Sequence, residues 1–321
     1  MTNNQKTAAL LVGFGGPTRA SEIRPFIQSV LEGAPIPPQR FEEVVRHYEA
    51  IGGVSPFNSI TYRQKEALER YLGSQKEDLN VAAAFRHSTP DFQDAFEAFK
   101  RHGIQKVVGF VLASFRSSTS LQRYRQKVLQ GRRSAGAENI EIDFTDAFDH
   151  EPFYREAQRA RVEETWGAWS AQEKSSTYVI YTAHSIPMLM CENSCRENDD
   201  RCYGAQFYET AREISSKLGL GKNWTYAYQS RSGDPNDLWT EPDVKDVLRR
   251  LDPKKFSRVL LVPVGFLCDN VEVLYDLDVE AKEAAKNAGF GYLRASTVTD
   301  HPKFIEMIGS QVLRKIETQI S

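Results

Sequence analysis

The stretch "RVLLVPVGFLCDNVEVLYDLDVEA", residues 258–281, holds the pattern that decides the fold. Its first part, 258–266, is a short apolar run with no polar alternation, which suits a strand of a parallel sheet covered on both faces. The part from 268 to 281 reads as a helix. The same succession recurs along the chain. Strand-like runs stand at 7–14, 79–85, 106–113, 141–148, 176–183, 224–230 and 292–296, and amphipathic stretches lie between them. One of these, "PDFQDAFEAFKRHG" (90–103), repeats Phe92, Ala95, Phe96 and Phe99 at helical spacing and stops at Gly103. The strands fall into two sets of four, separated near 148–157. This predicts an α/β protein of two doubly wound domains, each with a four-stranded parallel sheet. The domains are expected at 1–150 and 151–300, with the last helix, 301–321, packing back on the first.

Bulk properties agree with a globular protein. A chain of 321 residues is long for one hydrophobic core, so two domains are favoured. Hydrophobic residues make up 40% and charged residues 26%, and the formal net charge is −2, which leaves no basic footprint for nucleic acid. There is no run of about 18 apolar residues for a transmembrane segment, and the N-terminus lacks the pattern of a secretory signal. A cytoplasmic location is the expectation, where thiols are reduced or metal-bound rather than paired as disulfides. The apolar triplet Met188-Leu189-Met190 is a candidate for peripheral membrane contact.

In doubly wound folds ligands sit beyond the carboxyl ends of the strands. Four stretches leave strands there: "GFGGP", "ASFRSSTS", "TAHSIP" and "GFLCDNVE". The first can cradle phosphate through backbone N–H groups, but it lacks the spacing of a dinucleotide or P-loop fingerprint, and a glycine turn is the better reading. His184 in "TAHSIP" ends a strand and can move a proton near neutral pH. Ser185 is a poor nucleophile for it, since adjacent strand residues point to opposite faces. Glu272, Asp276 and Glu280 stand four residues apart, a row of carboxylates on one helix face. No Lys or Arg lies between 259 and 281 to pair with them locally, so the row suits a divalent cation or departing protons as well as a solvated acidic face. Arg116, Arg123 and Arg125, among hydroxyls, suit an anionic group such as a carboxylate, or merely a capped helix entry.

The cysteines are clustered. Cys191, Cys195 and Cys202 read C-x3-C-x6-C, and Cys268 leaves the strand expected to neighbour theirs. Four thiolates meet the need of a [2Fe–2S] cluster. A four-thiolate zinc site and unlinked thiols are the alternatives.

The segments "LLVGFGGP", "HYEAIGGVSPFNSIT" (47–61), "TAHSIP", "YQSRSGDPNDLWTEPD" (228–243) and "VPVGFLCDNVEVLYDLD" (262–278), in this order, resemble ferrochelatase over nearly the whole chain. The resemblance implies two Rossmann-like (doubly wound, four-stranded parallel sheet) domains with an active-site cleft between them, and insertion of Fe²⁺ as substrate into a porphyrin held there, with loss of two protons. It implies that His184 is the active-site imidazole and Glu272 its partner acid across the macrocycle, with Asp276 and Glu280 on the iron or proton path. Phe14, Ser55, Ser117, Tyr124 and Trp239 match positions that line the porphyrin. Some members carry a [2Fe–2S] cluster on an internal insert like the one at 191–202. Two departures stand out: Asn270 occupies a position that is often His, and Phe14 a position where some members that make coproheme have an iron-touching Tyr. Phe14 leans toward protoporphyrin IX, whereas the short 33–47 region resembles open-mouthed members, some of which take coproporphyrin III. A cobalt or nickel tetrapyrrole chelatase and a haem- or metal-binding carrier without turnover are the rival functions.

Overall fold

The computed structural model describes residues 6–77, 79–191, 202–232 and 237–317. Among them, β1 (Thr7–Gly13), β2 (Asn80–Phe85), β3 (Lys106–Val111) and β4 (Glu141–Phe144) form one sheet in the order β2-β1-β3-β4. The strands β5 (Thr177–His184), β6 (Trp224–Gln229), β7 (Arg258–Val262) and β8 (Gly291–Arg294) form a second sheet in the order β6-β5-β7-β8. Every pairing is parallel, so each sheet is doubly wound with one topology. Two strands stop four residues short of the ends of their apolar runs. β7 stops at Val262 because Pro263 has no N–H to extend the ladder. β4 stops at Phe144, and only Thr145 N–H still reaches Gly109 C=O, at 3.0 Å.

The chain divides into two compact units, one of residues up to Ala113, Ser120–Ala147 and from Asp300 onward, the other of Ser114–Thr119 and Phe148–Thr299. In the first unit, alternation along β1 sends Ala8, Leu10 and Val12 to a core shared with Phe92, Phe96 and Phe99. The helix Phe92–Arg101 reaches that core because Asp91 and Asp94 close a reciprocal capping box at its start. The helix Pro302–Glu317 packs on the helix Phe57–Ser74 and on β3, where Phe304 meets Phe110 edge to face at 6.4 Å. Gly309 has no side chain because a Cβ there would lie 2.3 Å from the Tyr71 ring.

In the second unit, the odd residues of β5, Val179, Tyr181 and Ala183, face a layer around Phe207, while Ile180 faces a layer of Phe266, Val273 and Leu277. Each fully buried aromatic or aliphatic side chain of this kind contributes roughly 1.5–3 kcal/mol. The segment Ser114–Thr119 belongs to this unit and not to the first, as the expected boundary had it. The reason is a side-chain clamp: Gln206 accepts from Arg116 N–H and donates to Arg116 C=O, each at 3.0 Å, while Phe115 packs on Phe207 at 5.5 Å. Gly265 is required where the chain turns after β7, because a Cβ there would lie 2.6 Å from the Ala183 backbone.

Candidate active site

The strand order of the second sheet reverses between β5 and β7, and the residues just beyond those two strands form the site. His184 is the last residue of β5. By alternation it shares the face of Ile180, the side covered by Val273 and Leu277. Glu272 sits in the short helix Val271–Leu274 on that same side. Asn270, at the position often held by His, caps this helix by accepting from Val273 N–H at 3.1 Å. His184 Nε2 lies 3.2 Å from Glu272 Oε1, and Nδ1 faces Ser185 C=O. Both ring nitrogens therefore face acceptors, which holds the imidazole as imidazolium with both N–H groups donating. Burial works against that charge. The Glu272 carboxylate, the hydrogen bond to it and the Ser185 carbonyl outweigh burial and bring the pKa of His184 up to about 9. Burial likewise opposes the charge on Glu272, but His184 and a hydrogen bond from Asn270 hold its pKa below the usual carboxylate value.

The 3.2 Å contact leaves no space for a ring between the two side chains, against the expectation that Glu272 faces His184 across a macrocycle. Ser185 is not aligned with His184. Its hydroxyl donates to Thr240 C=O at 3.1 Å, which removes the nucleophile reading.

Behind the pair, the acidic row departs from a regular helix. Residues Asp276–Ala281 form a π-helical turn, in which Glu280 N–H reaches back five residues to Tyr275 C=O at 3.0 Å. Asp276 accepts a hydrogen bond from Ser230, which follows β6 and has a positive φ of 64°. Burial, Glu272 and Glu280 raise the pKa of Asp276 to about 7 against the lowering effect of Ser230, so near neutrality it can take up or release a proton. Glu280 meets Lys245 at 2.9 Å. The row has no basic neighbour in sequence, but the helix Val244–Arg250 supplies one. Gln229, not singled out in the sequence, ends β6 in register with His184 and donates from Nε2 to Glu272 C=O at 2.6 Å.

The other candidate residues are distributed over both units. In the first, the Phe14 ring packs on buried His87 at 4.7 Å. His87 also meets Ser29 at 3.0 Å, and burial with the nearby Arg86 lowers its pKa to about 4. Ser55 is buried and accepts from Phe57 N–H at 3.3 Å, and Tyr124 is buried beneath the Arg86 guanidinium, 5.9 Å from its ring centroid. In the second unit, Ser117 is buried in the segment clamped by Gln206, and Trp239 bridges Pro187, three residues past His184, with the Arg231 guanidinium 6.0 Å from its ring centroid.

Of the cysteines, Cys195 lies outside the described residues. Cys202 is the N-cap of the helix Tyr203–Lys217, and Cys191 Sγ would lie 3.8 Å from a Cβ on Gly204 in the first turn of that helix. A helix N-terminus stabilises thiolate charge, and Tyr203, Phe207 and Tyr228 surround the place with apolar surface, so the helix end favours a thiolate while the apolar surroundings oppose it. Cys268 is buried in the loop after β7. Among the described residues no three His, Cys, Asp or Glu side chains are arranged to hold a metal ion. Also among them, no helix is long and apolar enough to cross a membrane.

The fold is shared with the sirohydrochlorin chelatase SirB of Bacillus subtilis subspecies spizizenii, at a TM-score of 0.56 and 12% identity over 97% of this chain and 96% of that one. It is shared too with a multi-domain protein of Deinococcus radiodurans described as similar to chelatases, at a TM-score of 0.58 and 11% identity; the chain spans 55% of that protein. Fold and site together define a doubly wound α/β protein with a His–carboxylate pair at a strand switch point. The ferrochelatase family model matches residues 6–316, and the chain belongs to the ferrochelatase family, whose members are enzymes. It is 34% identical to a ferrochelatase of Rhodopirellula baltica, over 96% of this chain and 85% of that one. It is also 33% identical to the coproporphyrin III ferrochelatase of Propionibacterium freudenreichii (97% and 88%) and 29% identical to that of Oceanobacillus iheyensis (98% and 99%).

Proposed function

We propose that the protein inserts Fe²⁺ into coproporphyrin III, and that His184, Glu272 and Asp276 carry the proton chemistry. The observation that carries this reading is the imidazolium–carboxylate pair at the switch point of the second sheet, in a chain of this family. Metallation exchanges two pyrrole protons for one divalent cation, so the site has to bring in positive charge and remove protons. At rest His184 holds a proton on each ring nitrogen and cannot accept another. The positive field of iron arriving past Glu280 and Asp276 disfavours the imidazolium and releases the Nε2 proton. Asp276, poised near neutrality, takes it. Neutral His184 then accepts the first pyrrole N–H proton, passes it to water along the acidic row by the same route, and accepts the second in turn, so that two protons leave for the one cation that enters. Phe14, Ser55, Ser117, Tyr124 and Trp239 serve this reading as porphyrin contacts.

Coproporphyrin III is favoured by the relatives in Propionibacterium freudenreichii and Oceanobacillus iheyensis that bear its name. Protoporphyrin IX is the second reading, favoured by Phe14, whose ring has no atom able to ligate iron. Cys191, Cys195, Cys202 and Cys268 are assigned to a [2Fe–2S] cluster, supported by the two thiols at one helix N-terminus. When bound, such a cluster supplies one-electron redox chemistry.

Anaerobic steady-state metallation of both porphyrins tests the proposal. A kcat/KM about tenfold or more higher for coproporphyrin III, a difference of about 1.4 kcal/mol in transition-state binding, supports it. The opposite preference moves the assignment to protoporphyrin IX. No turnover with either overturns it.

A further inference from the structure

We infer that Gln229 is a positioning residue: by tying the strand end beside His184 to the helix that carries Glu272, it sets the contact between the imidazole and the carboxylate. Gln229 pairs with His184 in the β5–β6 register, and its C=O accepts from Ser185 N–H at 2.7 Å, the bond that closes the ladder just past His184. Paired residues of neighbouring strands point to the same face. The Gln229 side chain therefore lies on the His184 side, as its strand neighbour Ala227, packed with Val273 and Leu277, also does. There its Nε2 donates to Glu272 C=O at 2.6 Å.

The chemistry leaves one orientation for this amide. Flipped, it would set Oε1 against the Glu272 carbonyl, two acceptors face to face. As placed, Oε1 is buried with no hydrogen-bond partner among the described residues, and Gln229 is 1% exposed. Leaving a buried amide oxygen unpaired costs stability, so packing alone does not explain a glutamine here; an apolar side chain of the same length would be cheaper. What the amide adds is a fixed link of one hydrogen bond between β6 and the Glu272 backbone. Ser230, next in the chain, grips Asp276 in the same manner from a left-handed backbone conformation.

The effect on turnover rests on the reading of His184 and Glu272 as the reacting pair; the geometric role does not. Gln229→Met keeps the length and removes the donor. A crystal structure of the folded variant is expected to show the His184–Glu272 contact opened from 3.2 Å to beyond hydrogen-bond reach. Steady-state assays are expected to show kcat lowered about tenfold with the porphyrin KM unchanged. An opened contact with unchanged kcat upholds the positioning role and removes the pair from the reaction. An unchanged contact overturns the inference whatever the rate. If Gln229→Met fails to fold, Gln229→Asn, which keeps the amide but is one methylene short, is read by the same two measurements.

Discussion

His184 Nε2 and Glu272 Oε1 stand 3.2 Å apart, although 88 positions separate the two residues in the chain, 272 less 184. Their side chains are 30% and 36% exposed, so water screens the pair and its Coulomb energy is well short of that of a buried ion pair. What the contact does is bias protonation: the carboxylate raises the pKa of His184 and the imidazole lowers that of Glu272, so each favours the charged form of the other.

Removing either partner should stop chemistry and leave the fold. His184→Gln and Glu272→Gln are each expected to lower metallation by about two to four orders of magnitude, the usual worth of a positioned acid–base group. Circular dichroism should be unchanged. Near-normal turnover of His184→Gln removes the imidazole from the mechanism.

The pair also predicts a pH dependence of stability. His184 has a folded pKa raised above its ordinary value of 6.5 to about 9. The folded state thus binds the extra proton between those values, and the stabilisation is complete below the lower one and lost as pH rises through the upper. Thermal melts of wild type and His184→Gln should differ most on the acid side and converge above pH 9 or so. Asp276 behaves in the reverse sense to an ordinary salt-bridged carboxylate. Its pKa is raised from 3.8 to about 7, so its ionisation weakens the fold as pH rises across that interval. Asp276→Asn should therefore gain on wild type toward alkaline pH; a gap that does not move with pH contradicts the assignment.

Lys245 neutralises the outer end of the acidic row. Replacing it by Met leaves Glu280 without its ammonium partner and strengthens the local attraction for a cation. The apparent KM for ferrous iron should fall a few-fold, with the porphyrin KM unchanged and the effect fading at high salt. A KM for iron that rises would place the cation's route elsewhere.

For the thiols, Cys202→Ser should abolish the visible absorbance of protein isolated without oxygen. A spectrum identical to wild type takes Cys202 out of the ligand set.

Gly265→Ala tests the close approach of the β7 turn to β5. The added Cβ would meet backbone and Cβ atoms of Ala183 at 2.6 Å, and backbone cannot swing aside. A loss of about 1–3 kcal/mol in denaturant stability is expected, as for overpacked cores. Wild-type stability would show that the turn relaxes freely.

Local pattern was enough to read the eight strands, because each is an apolar run of four to eight residues ended by a turn or a helix start, and that signal lies within a few neighbouring positions. It was also enough to place His184 at a strand end. The sequence determined, by itself, which chemical groups leave which strands. Only the tertiary structure decided their partners. Gln229 meets Glu272 and Lys245 meets Glu280 through contacts 43 and 35 residues apart, set by strand register and helix packing that no local window contains. The π-helical turn was hidden too, since a spacing of four between its buried residues Val273, Leu277 and Ala281 reads equally well as an ordinary α-helix. Composition and spacing encode which side chains are available; distance, protonation and pairing arise when folding brings remote segments together and removes water from between them.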